Sequence, residues 1–452
     1  MHTPLTLRTL LLLLPLVGAT AVQAAATPEE AARLKTELMP LGGERAGNKD
    51  GSIPAWTGGH TTPIPGDKAG GRRGDPFKGE KPLFSINARN MATYEDKLSD
   101  GQKALLKKDP AYRIDVYKTH RTAAAPQAVY DATFRNATRA RLVDDKPSNA
   151  FGGIPFPLPK AGAEVMWNHM LRWRGVAVQM NTQSYQMTAD GRSILTNINK
   201  GEVQMPYYFP DGSLEEFNKT GDYWTIRVVS EGPPIRSGEA MVGRRQFDGE
   251  KDQGWIYLTG QRRVRKLPNT CCDTPHPSTQ GLMAFDEIES WSGRLDRFEW
   301  KLLGKRELYI PYNGNRLLQP ASETEVLGKG YLNPDHVRWE LHRVWVVEAS
   351  LRAGLRHVAP KSRYYCDEDT WLCVLGDRWD AKGQLWKTLW TQNIVAPDLP
   401  GTVGGAYGYT DLIAGNGFAG QLMNSRPAQM PIKARFQSSV FTPDSMTGDG
   451  VR

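Results

Sequence analysis

Acid–base, nucleophilic or metal chemistry would need titratable side chains at set spacings, and few such spacings occur here. His169, His342 and His357 stand in no triad or metal-ligand pattern. There is no Gly-x-Ser-x-Gly elbow, His-Glu-x-x-His helix or phosphate loop. Asp367-Glu368-Asp369 makes an acidic turn without the longer ligand pattern of a calcium loop. Paired carboxylates for hydrolysis stay open, because distant strands can bring them together. No catalytic residue, metal ligand or cofactor is assigned, and the chain reads as a non-enzyme.

The four cysteines offer different chemistry. Cys366 and Cys373 flank Asp367 to Leu372, and a hairpin turning at Asp369-Thr370 sets them face to face for a cross-strand disulfide. Cys271-Cys272 with His276 falls one ligand short of a structural zinc site. Loop thiols, free or bridged, are the simpler account of that pair.

Two charged features ask for partners. Arg343 interrupts an apolar stripe, and a buried Arg needs a counter-charge. A lid carboxylate, a ligand carboxylate or phosphate, or a structural ion pair at the rim would each serve. Arg262, Arg263, Arg265 and Lys266 form a basic run. It could dock on anionic lipid or a partner, but strand alternation would turn Arg263 and Arg265 to a solvated face.

These residues ride on an exported, β-rich chain. Met1 to Ala26 reads as a leader: Arg8, an apolar run from Leu10 to Val17 broken by Pro15, then small residues up to cleavage after Ala24. The run is shorter than the roughly 20 apolar residues of a membrane span, and an uncleaved anchor is the alternative. No Cys follows it to carry a lipid. The 452 residues carry a net charge of +8 with both signs interspersed, which argues against a dedicated nucleic-acid binder. Thirteen Trp, 16 Tyr, 45 Gly and 31 Pro suit a sheet protein with many turns and a bulky aromatic interior.

Helical signals come early. Thr27-Pro28-Glu29-Glu30 opens a helix running to about Leu38. Asn87 to Lys108 repeats at helical spacing, Ala123 to Arg141 is ambiguous, and Ala161 to Trp173 is amphipathic. The Gly- and Pro-rich stretch from Ala46 to Pro82 reads as coil over the surface. From Val176 the period becomes two. Strands follow over Val176–Met180, Tyr223–Val229, Glu239–Phe247, Gly254–Leu267, Phe298–Leu308, Val337–Leu351, Ser362–Cys366, Trp371–Trp379 and Leu385–Thr391. Short turns imply a long antiparallel meander. In Val337–Leu351 the odd positions form a greasy face and the even ones a largely wet one. The divisions are a leader over 1–24, a helical and irregular segment over 25–160, a half-barrel with lid helix over 161–395, and an irregular tail over 396–452.

Four stretches carry a family resemblance: Glu44 to Gly59; Gly152 to Pro159 with Met166-Trp167-Asn168-His169; Gly260 to Arg265 with Asp273-Thr274-Pro275; and Glu340 to Ala349. They are similar to the motif set of the bacterial domain-of-unknown-function family 1329, described as outer-membrane-lipoprotein-sorting-like. The resemblance implies an α+β fold similar to the Lol carriers LolA and LolB. In it a strongly curved antiparallel sheet makes an incomplete β-barrel, with N-terminal helices as lid. It implies a soluble periplasmic carrier for a hydrophobic small molecule or lipid in the Gram-negative envelope. Implied partners are an RND-type transporter and an outer-membrane channel-like protein. In the family pattern Cys366 and Cys373 are not cysteines, so their disulfide would be local to this chain.

The pocket so implied would be lined by Trp255, Tyr257, Trp300, Trp339, Leu341, Arg343, Trp345 and Val347, with Met166, Met170 and Trp173 on the lid. The same alternation would also arise from plain core packing. A periplasmic hydrolase of glycans or lipids, and a ligand-free envelope scaffold, stand as alternatives.

Overall fold

A computed structural model describes residues 25–67 and 70–447; the leader and its cleavage point lie outside them. Early elements are short: α1 (Pro28–Ala32), β1 (Phe84–Ile86), α2 (Asp100–Lys108), β2 (Ile114–Val116), α3 (Gln127–Arg139), and the hairpin β3 (Arg141–Val143) and β4 (Lys146–Ser148). Then come α4 (Gly162–Met170), β5 (Ala177–Met187), β6 (Ser193–Gln204), α5 (Leu214–Thr220), β7 (Asp222–Gly232), β8 (Ala240–Gln246), β9 (Gln253–Leu258) and β10 (Arg263–Lys266). The second half holds β11 (Phe298–Pro311), β12 (Trp339–Leu351), β13 (Lys361–Asp367), β14 (Cys373–Trp379), β15 (Leu385–Ala396), β16 (Gly401–Asp411), β17 (Gly417–Leu422) and β18 (Ile432–Lys433).

The fold is α+β, built on a large curved sheet whose long strands pair antiparallel and which does not close into a barrel. Two meanders compose it. One runs β11-β12-β13-β14-β15-β16-β17, the other β5-β6-β7-β8-β9-β10. They meet where β17 pairs with β5, Phe418 opposite Gln186 and Ala419 opposite Tyr185. Among the described residues no pairing joins β10 to β11, so these two strands are free edges. Exposed Arg263, Arg265 and Lys266 stand on the β10 edge, where charge discourages pairing with another chain.

Four expectations need correction. Gly254–Leu267 is not one strand, because it turns at 259–262 to form the β9–β10 hairpin. The region from 396 on is not irregular, because β16 and β17 lie in it and β17 bridges the two meanders. The single meander is therefore two. And β12 has no wet face at its start: Glu340 and His342 are 0% and 1% exposed, and Val344 and Val346 are buried with them. The reason is that the first meander is covered on both sides. Residues of α2 pack with Tyr365, Leu375 and Trp390 in one core cluster. Residues of α4 pack with Tyr364, Cys366 and Leu389 in another. Strands buried on both faces lose the alternation that signals a solvated face.

Other expectations are met with shorter elements. Thr27 caps α1 with the reciprocal Glu30 contact, yet the helix tightens to a 3-10 turn over Arg33–Lys35. The coil from 46 to 82 is tucked in at Ile53, Trp56 and Ile64, which are 1%, 8% and 2% exposed. Helix α4 starts after the proline run, where Glu164 Oε2 accepts from the backbone N–H of Lys160 at 2.5 Å. All nine of its residues are buried, and the helix packs on β11 and β12. A Cβ on Gly162 would meet the Trp300 carbonyl oxygen at 2.8 Å, so only glycine lets the helix approach this closely. Disulfides join Cys366 to Cys373 and Cys271 to Cys272.

Candidate functional site

One face of the second meander carries an open cavity. A cavity of about 1240 Å³, counted out to its open mouth, lies between β5–β7, β16, the end of α4 and the segment 276–292. Strand periodicity builds its apolar wall. Val178 and Met180 of β5, Val203 of β6, and Trp224, Ile226 and Val228 of β7 are spaced two apart, so they share one face. Met241, Val403, Tyr407 and Met430 complete it, and Met170 enters from α4. Flexible methionines suit a wall that must fit variable apolar shapes.

The opposite wall is charged. Arg172 and Arg174, just past α4, both reach the same oxygen of Glu289, Oε2, at 2.6 Å. Burial pushes the Glu289 carboxyl up, but the two guanidiniums outweigh it and hold it below its usual value. Burial lowers Arg172 to about 10 against the pull of Glu289. Arg245 of β8 donates to the Ser292 carbonyl and lies 5.6 Å over Trp224. His276 also lines the cavity, and burial followed by Arg245 lowers it to about 3, so it is neutral.

His169 fixes this wall to the sheet. Its Nδ1 accepts from the Cys373 N–H at 3.0 Å, and its Nε2 donates to the Trp291 carbonyl at 2.8 Å. Burial and the nearby Arg172 lower it to about 3, which keeps the neutral tautomer these two bonds need.

Of the eleven residues expected to line a pocket, Met170 lines this cavity. Trp339 borders a second, smaller one of about 500 Å³ beside Leu105 and Trp390. Leu341 packs in the same core cluster as Trp339. Met166 and Val347 are fully buried between α4 and β12, and Trp300 and Trp345 pack against that cluster. Trp173 donates to the Pro400 carbonyl at 3.0 Å. Tyr257, with Trp255 against it, packs on Met446 near the C-terminus. Arg343 joins an ion network at the rim, donating to the Ala46 carbonyl at 2.9 Å and facing Glu44 and Glu368. Most of the greasy stripe of β12 is thus packed in the core, with Trp339 at the second cavity. Among the residues missed were Ile226 and Val228, in a strand read correctly, and Val203, in β6, which was not read as a strand.

One group among the described residues could hold a metal ion: His342, Asp367 and Asp369, each with a donor atom within 4.8 Å of the others. Its surroundings are those of a charge network. Arg121 takes both oxygens of Asp369, at 2.8 and 2.6 Å. His342 faces Glu340 at 3.1 Å and stacks on Tyr312. Asp367 accepts from the backbone and hydroxyl of Thr370 through Oδ2, while its Oδ1 accepts no hydrogen bond and faces His342 Nδ1 at 4.0 Å. Burial and then Asp369 raise the Asp367 carboxyl to about 7.

The sequence profile of the family described as "Protein of unknown function (DUF1329)" matches residues 85–447. The chain belongs to this family. The DUF1329 chain is 37% identical over 451 residues to the uncharacterised protein PA3922 of Pseudomonas aeruginosa, covering 96% of each. Among solved structures, it overlaps a domain described as outer membrane lipoprotein-sorting from Vibrio parahaemolyticus, at TM-score 0.43 and 14% identity, covering 63% of this chain and 98% of that one. It also overlaps the LolA superfamily protein NE2245 of Nitrosomonas europaea, at TM-score 0.37 and 12% identity, covering 64% and 100%. No helix among the described residues is long and apolar enough to cross a membrane.

Proposed function

We propose that this DUF1329 protein is a periplasmic carrier or binding protein for a hydrophobic ligand. The observation that carries the reading is the open cavity whose β5–β7 wall presents Val178, Met180, Val203, Trp224, Ile226 and Val228, with Thr182, Ser184 and Asn199 beside them. Each buried CH₂ contributes about 0.8 kcal/mol, so an acyl chain gains ample gross affinity there. Met170 lines the cavity and meets the ligand there. Among the described lining residues Glu289 is the one carboxylate, and two arginines hold it. Hydrolysis by paired carboxylates has no second partner there. Work alongside an RND-type transporter and an outer-membrane channel-like protein follows from the motif resemblance.

Native mass spectrometry after gentle purification, with titration of an apolar fluorescent probe, tests the reading. We expect a co-purifying lipid or fatty acid and saturable probe binding. Ile226→Trp and Val228→Trp, which fill the cavity, should weaken binding while the protein stays folded. Repeated absence of both ligand and probe binding would overturn the reading.

A further inference from the structure

The cavity's charge does not balance. Arg172, Arg174 and Arg245 line it, against Glu289 alone. His276 adds no charge, because burial keeps it neutral. Both Arg172 and Arg174 depend on one carboxylate oxygen. Arg174 Nε is buried without a partner. Arg245 is met by a backbone carbonyl and a tryptophan face, neither of which neutralises it. Asp252 acts on Arg245 but lies outside the lining, and its own Oδ1 accepts from the Gln246 N–H at 2.8 Å. Glu289 balances one guanidinium and Asp252 offsets Arg245 in part from outside the lining, so an excess of positive charge still faces the apolar wall.

We infer that the cavity takes an anionic amphiphile: an acyl chain against β5–β7 and a carboxylate or phosphate head between Arg245 and the Arg172–Arg174 pair. The inference rests on the carrier reading and narrows its ligand class. A guanidinium presents a planar fork of donors that matches carboxylate and phosphate oxygens, which an alcohol or an ester cannot reproduce. Charged side chains on one wall and apolar ones on the other also fix the ligand's direction, head toward segment 276–292.

The test compares ligands with one chain and different heads, on the full mature protein at low salt. Palmitate is set against hexadecanol, and palmitoyl lysophosphatidic acid against palmitoyl lysophosphatidylcholine. We expect each free-acid ligand to bind about tenfold more tightly than its counterpart, the size of one charge-assisted contact. Arg245→Met, which breaks no ion pair to Glu289, should bring the ratio toward one. Should that variant not fold, the wild-type salt dependence serves instead, with palmitate affinity falling as salt rises and hexadecanol affinity holding. Preference in the palmitate pair assigns a carboxylate head, and preference only in the lysophospholipid pair assigns a phosphate. Equal affinity across both pairs would overturn the anion inference and leave the carrier intact. Failure of all four ligands and of the apolar probe would overturn the carrier itself.

Discussion

Arg172 Nη2 lies 2.6 Å from Glu289 Oε2, in a wall that also faces the main cavity. Arg174 shares that oxygen. One carboxylate therefore anchors both guanidiniums that follow α4, and the helix's exit depends on it.

Glu289→Gln should cost about 3 kcal/mol at neutral pH, because it strands two largely buried cations. The bonus is pH-dependent in a definite direction. The folded carboxyl is held below its unfolded value, so its contribution is full above about pH 4.5 and lost as pH falls further. Urea melts at pH 7 and pH 4 should show the variant's deficit shrinking in acid.

His169 should contribute to acid sensitivity at milder pH. It is lowered to about 3 in the fold, so the unfolded chain binds its proton first below about pH 6.5, and stability falls as pH drops from there toward 3. His169→Ala orphans the Cys373 N–H and the Trp291 carbonyl, costing about 1–3 kcal/mol. Its unfolding free energy should then vary less with pH between 6.5 and 4.5 than that of the wild type.

Asp367 should act with the opposite sign. Burial and Asp369 raise it to about 7, so its charge weighs against the fold as pH climbs from about 4 to 7 and beyond. Asp367→Asn keeps an acceptor for Thr370 and removes that charge. The variant should melt at a higher temperature than wild type at pH 8, with the gain vanishing near pH 4. Equal gains at both values would contradict this account.

Both cysteine pairs should be oxidised in protein recovered from an oxidising compartment. Mass spectrometry after alkylation without reductant should find no modified Cys366 or Cys373. Replacing both with Ala should cost about 2–3 kcal/mol, the entropy of so short a loop.

Gly162→Ala should be disruptive despite its higher helix propensity. The added methyl meets the Trp300 carbonyl and Val347 at 2.8 and 2.9 Å, so α4 must move off the sheet. A lowered melting temperature with broadened tryptophan fluorescence would report that shift.

The sequence by itself determined the family, the β-rich class, the position of α4 and the strands that carry period-two patterns. It also placed the Cys366–Cys373 pair, since seven residues of spacing across a tight turn leave little freedom. Local pattern sufficed there because each decision depends on neighbours in the chain. It left open whether the alternating Trp339, Leu341, Trp345 and Val347 of β12 line a pocket or pack as core. What decided between wall and core was whether other elements cover both faces, and those elements, α2 and α4, come from far away in sequence. The same holds for β17, a short strand rich in Gly whose partner is β5. That distant pairing curves the second meander around the cavity and brings Arg172, Arg174, Arg245 and Glu289 into one wall. No spacing could announce this, because the four residues meet only once the sheet has curved.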